Sequence, residues 1–136
     1  MIRVVLADDH PVVRFALQVL VNAQDDMEVV DTAADGLGAV TSTVFHDPDL
    51  VVLDLLMPTL DGLEATEEII RCNPRTRVLV LSSYCTDAIT ASALEAGATG
   101  VVLKSSGPWD LLAAMRAAHR GQSVGAGSVV RVLAAR

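Results

Sequence analysis

Five short strand-like runs recur along the chain, and four of them end on, or one step before, a polar residue. They are read at residues 2–7 (Ile-Arg-Val-Val-Leu-Ala, then Asp8-Asp9), 28–33, 49–54 (Asp-Leu-Val-Val-Leu-Asp), 77–82 (Arg-Val-Leu-Val-Leu-Ser) and 100–104 (Gly-Val-Val-Leu-Lys). The continuous apolar run ending at Asp54 is the pattern of a strand buried on both faces, and the run at 77–82 reads as another. Between the runs lie stretches with helical spacing. Val12, Val13, Leu17, Leu20 and Val21 fit one helix face, and Leu37, Val40, Val44 and Phe45 suggest a second helix. Residues 63–71 form a third and are closed by Asn73-Pro74; residues 86–96 form a fourth, with Gly97 as its stop. Residues 108–120 form a fifth, for which Ser105 or Ser106 is the expected cap. Strand and helix alternating five times predict an α/β fold: a doubly wound, five-stranded parallel sheet with helices on both faces.

The sequence has 136 residues, enough for one domain, and 51% are hydrophobic while only 3% are aromatic. A core built from aliphatic side chains and alanine is therefore expected. No run reaches the roughly 20 apolar residues that span a bilayer. The first residues enter a strand pattern with no signal-peptide layout, so the expectation is a cytoplasmic protein without membrane contact. Cys72 and Cys85 lack a metal-type spacing and are read as reduced thiols. The formal net charge of −7 opposes a nucleic-acid grip through the overall field.

In a doubly wound sheet the ligand crevice lies at the carboxyl ends of the strands. Asp8 and Asp9 stand at the end of the first strand, Asp54 at the third, Ser82 at the fourth and Lys104, the one lysine of the chain, at the fifth. All five are expected on one rim. Three convergent carboxylates need a counter-ion, because like charges at close range repel. Mg²⁺, a hard cation that takes carboxylates, waters and a phosphate oxygen, meets that need. Asp54 is then placed to attack a phosphoryl group and form an acyl phosphate. Lys104 serves as a point charge and Ser82 as a hydrogen-bond donor to the phosphoryl oxygens.

Taken one at a time, these residues have plainer explanations. Asp8-Asp9 could be the N-cap of the first helix. Ser82 could tie off backbone, and Lys104 could be solvated. A carboxylate directly after Leu-Val-Val-Leu is harder to explain by folding alone. His10 is read as an exposed or capping side chain, and His46 and His119 as helix-surface residues. Tyr84 is read either as a surface aromatic or as a shield of the site, Trp109 as packing at the start of the last helix, and Cys85 as near the rim without an activating partner.

The segments Val5-Leu6-Ala7-Asp8-Asp9-His10-Pro11, Val51-Val52-Leu53-Asp54-Leu55-Leu56-Met57-Pro58 and Asp61-Gly62 carry a family resemblance. So do Val80-Leu81-Ser82-Ser83, Ala96-Gly97-Ala98-Thr99-Gly100 and Leu103-Lys104. The chain resembles the receiver domains of two-component response regulators, closest to the NarL-type subfamily with its LuxR-like helix-turn-helix output. The resemblance implies a flavodoxin-like strand order of 2-1-3-4-5. It also implies Asp54 as the phospho-acceptor, Asp9 as a direct ligand of Mg²⁺, Asp8 as a ligand through water or a residue that tunes the pocket, and the Leu56 backbone carbonyl as a further ligand. Ser82 is the implied switch hydroxyl, and Lys104 the implied partner of the phosphoryl group.

The implied donor is a phosphohistidine on a sensor histidine kinase, or a small acyl phosphate. Residues 1–120 correspond to the receiver and residues 121–136 to the start of a linker toward a helix-turn-helix domain that lies outside this sequence. By that reading this span does not bind nucleic acid itself, and a homodimer is possible. Two positions depart from the family: Val101 stands where an inward-turning aromatic is common, and Ser105 follows the lysine where proline is common. A cis bond before Ser105 is not expected, since a cis non-proline bond costs about 2.5–4 kcal/mol.

Leu56 and Tyr84 flank the implied acyl phosphate and are expected to obstruct water. Two other functions stand beside the phospho-acceptor switch. One is a Mg²⁺-dependent aspartyl phosphatase, disfavoured because such enzymes carry an Asp-x-Asp nucleophile on the first strand. The other is a receiver-shaped interaction domain that is never phosphorylated. Flavin binding is weaker still, because the loop after the first strand is acidic.

Overall fold

A computed structural model of the chain describes residues 1–84 and 86–121. The parallel sheet comprises β1 (Ile2–Ala7), β2 (Met27–Ala33), β3 (Leu50–Asp54), β4 (Arg77–Ser82) and β5 (Gly100–Leu103), in the order β2-β1-β3-β4-β5. The five helices are α1 (Pro11–Asn22), α2 (Gly36–His46), α3 (Gly62–Cys72), α4 (Asp87–Ala96) and α5 (Pro108–His119). Every element expected from the sequence forms, with ends shifted by a residue or so.

Alternation along the strands divides the core into two layers. Val4, Leu6, Leu50, Val52, Leu79 and Val102 face α1 and α5, where they meet Val21, Leu112 and Met115. Val5, Ala7, Val51, Leu53, Val78, Val80 and Val101 face the other way, onto Ala39, Ile69 and Ala93. Every residue of β3 is buried, including Asp54. At roughly 25 cal/mol per Å² of apolar surface, this two-sided burial is the main stabilising term, and it holds β3 as a rigid base for the acid at its end.

Local signals set the helix ends. Asp61 accepts from Leu63 N–H and Glu64 N–H at 2.9 Å each, while Glu64 reaches back to Asp61 N–H at 3.1 Å, completing a capping box. Thr86 caps α4 through Ile89 N–H at 3.1 Å, and Gly97 ends it at φ +106°. Gly62 is required by close approach: a Cβ there would lie 2.5 Å from the Asp54 carbonyl oxygen and 2.7 Å from Leu55 Cα. The loop after the β3 acid thus folds tightly back, and Gly62 N–H donates to the Leu55 carbonyl at 2.7 Å.

Several expectations are corrected. The N-cap of α5 is Gly107, with no side-chain cap bond, so neither Ser105 nor Ser106 caps it; Pro108 supplies the start instead. Trp109 is 75% exposed and does not pack. Val12 is exposed as well, because it lies five positions before Leu17, about 140° away around the helix. Leu17, Leu20 and Val21 turn inward. Leu37, Val44 and Phe45 are exposed on α2. No described peptide bond is cis, that of Lys104–Ser105 included. Cys72 is a free, exposed thiol. The placement of Cys85, and the linker and helical tendency read at residues 122–136, lie outside the described residues.

Candidate functional site

Strand β1 pairs with β2 on one side and β3 on the other, so the winding reverses between β1 and β3, and a crevice opens there at the carboxyl ends. Because Ala7 is paired with Leu53, the residues that follow each, Asp8 and Asp54, come to the same rim. Ser82 ends β4 opposite Leu103, and Lys104 follows at once, its N–H donating to the Ser82 carbonyl at 2.8 Å. Asp9, His10, Asp54, Leu56, Ser82, Tyr84 and Lys104 line a cavity of about 480 Å³. Asp8 flanks it, so the five rim residues expected from the sequence come together.

Asp54 is 3% exposed. Its Oδ2 lies 2.6 Å from Lys104 Nζ, and its Oδ1 accepts the Leu56 N–H at 3.3 Å. Asp8 is 1% exposed, and its Oδ1 accepts His10 N–H at 2.8 Å. Asp8 Oδ2 and Asp9 Oδ1 are buried and have no hydrogen-bond partner. Lys104 Nζ stands 3.8 Å from Asp8 Oδ2, beyond hydrogen-bond range. One ammonium therefore faces three carboxylates. Burial works to depress the Lys104 pKa, but the Asp54 hydrogen bond and the charges of Asp54, Asp8 and Asp9 outweigh it and raise the value.

Unpaired buried carboxylate oxygens are costly. Here they point to a cationic ligand, and carboxylate oxygens suit a hard divalent ion. One ligand atom each from Asp8, Asp9, His10 and Asp54 can be chosen so that all lie within 4.8 Å of one another. The capping alternative for the acids is excluded, since α1 has His10 at its N-cap position and no side-chain cap bond at all.

Ser82 is buried, and its hydroxyl is engaged: Oγ–H donates to the Tyr84 carbonyl at 2.6 Å, and Oγ accepts the Tyr84 N–H at 3.1 Å. Tyr84 and Leu56 are each 70% exposed and stand on the cavity wall. Val101 is fully buried and paired with Val80, inside the layer beneath α4. Two residues matter more than the sequence suggested. Arg14, one turn into α1, donates from Nη1 to the Asp8 carbonyl at 2.7 Å and holds the acidic loop. The His10 ring sits with Nδ1 3.2 Å from Asp8 Oδ1 and 3.1 Å from Asp9 Oδ1. An Arg at the fourth helical position and a His directly after two acids were the available signals.

Residues 4–116 match the family model described as "Response regulator receiver domain". The oxygen regulatory protein NreC of Staphylococcus carnosus is 42% identical over 122 residues, which make up 89% of this chain and 56% of that protein. The chain thus spans little more than half the length of such relatives. A LuxR-family two-component response regulator from Aurantimonas superposes with a TM-score of 0.91 at 34% identity, covering 99% of this chain and 96% of that one. The isolated REC domain of RcsB from Salmonella enterica, solved with the phosphomimetic BeF3⁻, superposes with a TM-score of 0.84 at 28% identity. It covers 97% of both chains. With the fold, the acidic crevice and these likenesses in agreement, the chain belongs to the response regulator receiver domain family, in its NarL- and LuxR-type branch of transcriptional regulators.

Proposed function

We propose that this domain is a phosphorylation switch in which Asp54 accepts a phosphoryl group from a phosphohistidine of a sensor kinase or from a small acyl phosphate. The observation that carries the reading is a buried strand-end carboxylate held by one ammonium, beside two buried carboxylate oxygens that have no hydrogen-bond partner. An Asp54 carboxylate oxygen attacks phosphorus and forms an acyl phosphate. The bond from phosphorus to the donor nitrogen or oxygen breaks, and the electron pair leaves with the donor. Lys104 shifts from Asp54 Oδ2 onto a phosphoryl oxygen as charge moves there. The Ser82 hydroxyl exchanges its bond to the Tyr84 carbonyl for one to another phosphoryl oxygen, drawing on the loop that follows β4.

Asp8, Asp9, Asp54 and the Leu56 backbone carbonyl would hold Mg²⁺, which supplies positive charge opposite the phosphoryl oxygens. Arg14 keeps the Asp8 backbone in place. Leu56 and Tyr84 cover the phosphorylated carboxylate and restrict water. The domain is consumed as a phosphoryl substrate and is not a turnover enzyme.

Residues 1–120 form the receiver unit, and residues 121–136 begin the linker to a helix-turn-helix output. That output, in the full-length cytoplasmic protein, carries DNA binding, which this span does not supply. Among the described residues, no helix is long and apolar enough to cross a membrane. Val12, Phe15 and Val19 form an exposed apolar stripe on α1 that suits a homodimer contact. The test is intact-mass analysis after incubation with acetyl phosphate and Mg²⁺. Gain of one phosphoryl group by the native chain, absent in Asp54→Asn and absent with excess chelator, supports the reading. No gain by folded native protein under any condition refutes it.

A further inference from the structure

The carboxylate crevice includes a side chain that a plain magnesium site does not need. We infer that His10 is a nitrogen donor to the cation held by Asp8 and Asp9, so that this site takes borderline divalent cations such as Co²⁺ or Zn²⁺ more tightly than an all-oxygen site would. This rests on the reading above, that the carboxylates bind a divalent cation.

Three observations carry it. His10 Nδ1 lies 3.2 Å from Asp8 Oδ1 and 3.1 Å from Asp9 Oδ1. Ligand bonds of about 2.0–2.2 Å meeting at right angles put neighbouring donors about 3 Å apart, so these separations match one edge of a coordination polyhedron. Next, Asp8 is 1% exposed and its Oδ2 has no hydrogen-bond partner, which marks a ligand-directed oxygen in the same group of donors. Finally, apart from the Nδ1 contact with Asp8 Oδ1, which is itself within hydrogen-bond range, the described residues make no further demand on the ring. It forms no cap bond to α1, its side chain is 65% exposed, and Pro11 already sets the helix start. With its proton on Nε2, the imidazole presents an Nδ1 lone pair to the space that Asp8 and Asp9 face.

Imidazole raises affinity along the series from Mn²⁺ to Cu²⁺, whereas Mg²⁺ gains little from exchanging a water for nitrogen. His10 is therefore a determinant of which cation the switch uses.

Calorimetry with Co²⁺ and with Mg²⁺, on the native chain, His10→Ala, His10→Gln and Asp9→Asn, tests this together with proton NMR of the Co²⁺ forms. The expected result is a Co²⁺ affinity lowered about tenfold or more in both His10 variants, with Mg²⁺ affinity within about twofold of native. A strongly shifted exchangeable imidazole N–H resonance should appear in the native Co²⁺ form and vanish in His10→Ala and Asp9→Asn. Unchanged Co²⁺ affinity in the His10 variants, or no such resonance in Co²⁺-loaded native protein, overturns the inference and leaves the magnesium reading standing. If the native chain binds neither cation, both readings fall together.

Discussion

The two ends of this sheet treat polar groups in opposite ways. At the amino ends of the strands, Arg3 Nη1 donates to the carbonyls of His46 and Asp47 at 2.8 and 3.0 Å, and Asp49 Oδ2 accepts the Arg3 N–H at 2.9 Å. Asn73 donates to Asp47 Oδ1 at 2.9 Å, and Thr76 Oγ1 to the Pro48 carbonyl, also at 2.9 Å. Each charge or dipole there closes on a neighbour. At the carboxyl ends, Asp8 and Asp9 keep buried oxygens without hydrogen-bond partners, and a single ammonium serves three acids. The same backbone geometry underlies both rims. One end finishes its own hydrogen bonding and supports the fold, while the other is left short of positive charge. The polar groups that a fold leaves unsatisfied therefore locate its chemistry better than its charge content does.

Exchanging a cation at each rim is the sharpest way to break that comparison. Lys104→Met should slow phosphorylation by acetyl phosphate by about 10²–10³-fold, the usual loss when a donor to developing charge is removed. Arg3→Met should leave that rate within about twofold and instead cost about 1–3 kcal/mol of stability in urea unfolding, because two carbonyls lose a charged donor. Equal rate losses in the two variants would erase the distinction.

Cation binding gives the next largest contrast. Mg²⁺ at 100 times its dissociation constant should raise the unfolding free energy of the native chain by about 2.7 kcal/mol. Asp9→Asn should lose that increment, and Asp49→Asn should retain it while starting from a less stable baseline. Smaller again, Leu56→Asn should shorten the phosphoryl half-life several-fold in a mass-detected decay, since it replaces an apolar cover with a side chain able to orient water. An unchanged half-life would remove Leu56 from the account.

The smallest effect is alkaline. The folded-state pKa of Lys104 is raised above the ordinary 10.5. Its contribution is therefore fully present below that value and fades as pH rises through the higher folded one. Metal-free native protein should lose stability across that window more steeply than Lys104→Met, as followed by urea midpoints against pH.

Much of this was legible because β-strand burial and active-site placement share one signal. Leu-Val-Val-Leu before Asp54 both specifies a two-sided strand and fixes where the acid lands, and the same holds for Ser82 and Lys104. What depended on helix phase was not legible. Val12 reads as part of an apolar face until the turn of α1 shows that Leu17, Leu20 and Val21 turn inward while Val12 points to solvent. Arg14 and His10 gain their roles from where that first turn starts. The α5 cap at Gly107 escaped notice because a serine beside a proline-led helix mimics a capping signal. Trp109 offers bulk without a facing cavity, so it stays in solvent.

The central claim is that the open rim takes its phosphoryl group on Asp54 and on no other acid. Borohydride trapping tests it most directly, by reducing the acyl phosphate formed with acetyl phosphate and Mg²⁺ to an alcohol, followed by peptide mapping. One reduced residue is expected, at position 54, appearing only when metal is present. Reduction at Asp8 or Asp9, or equal labelling of all three, would contradict it.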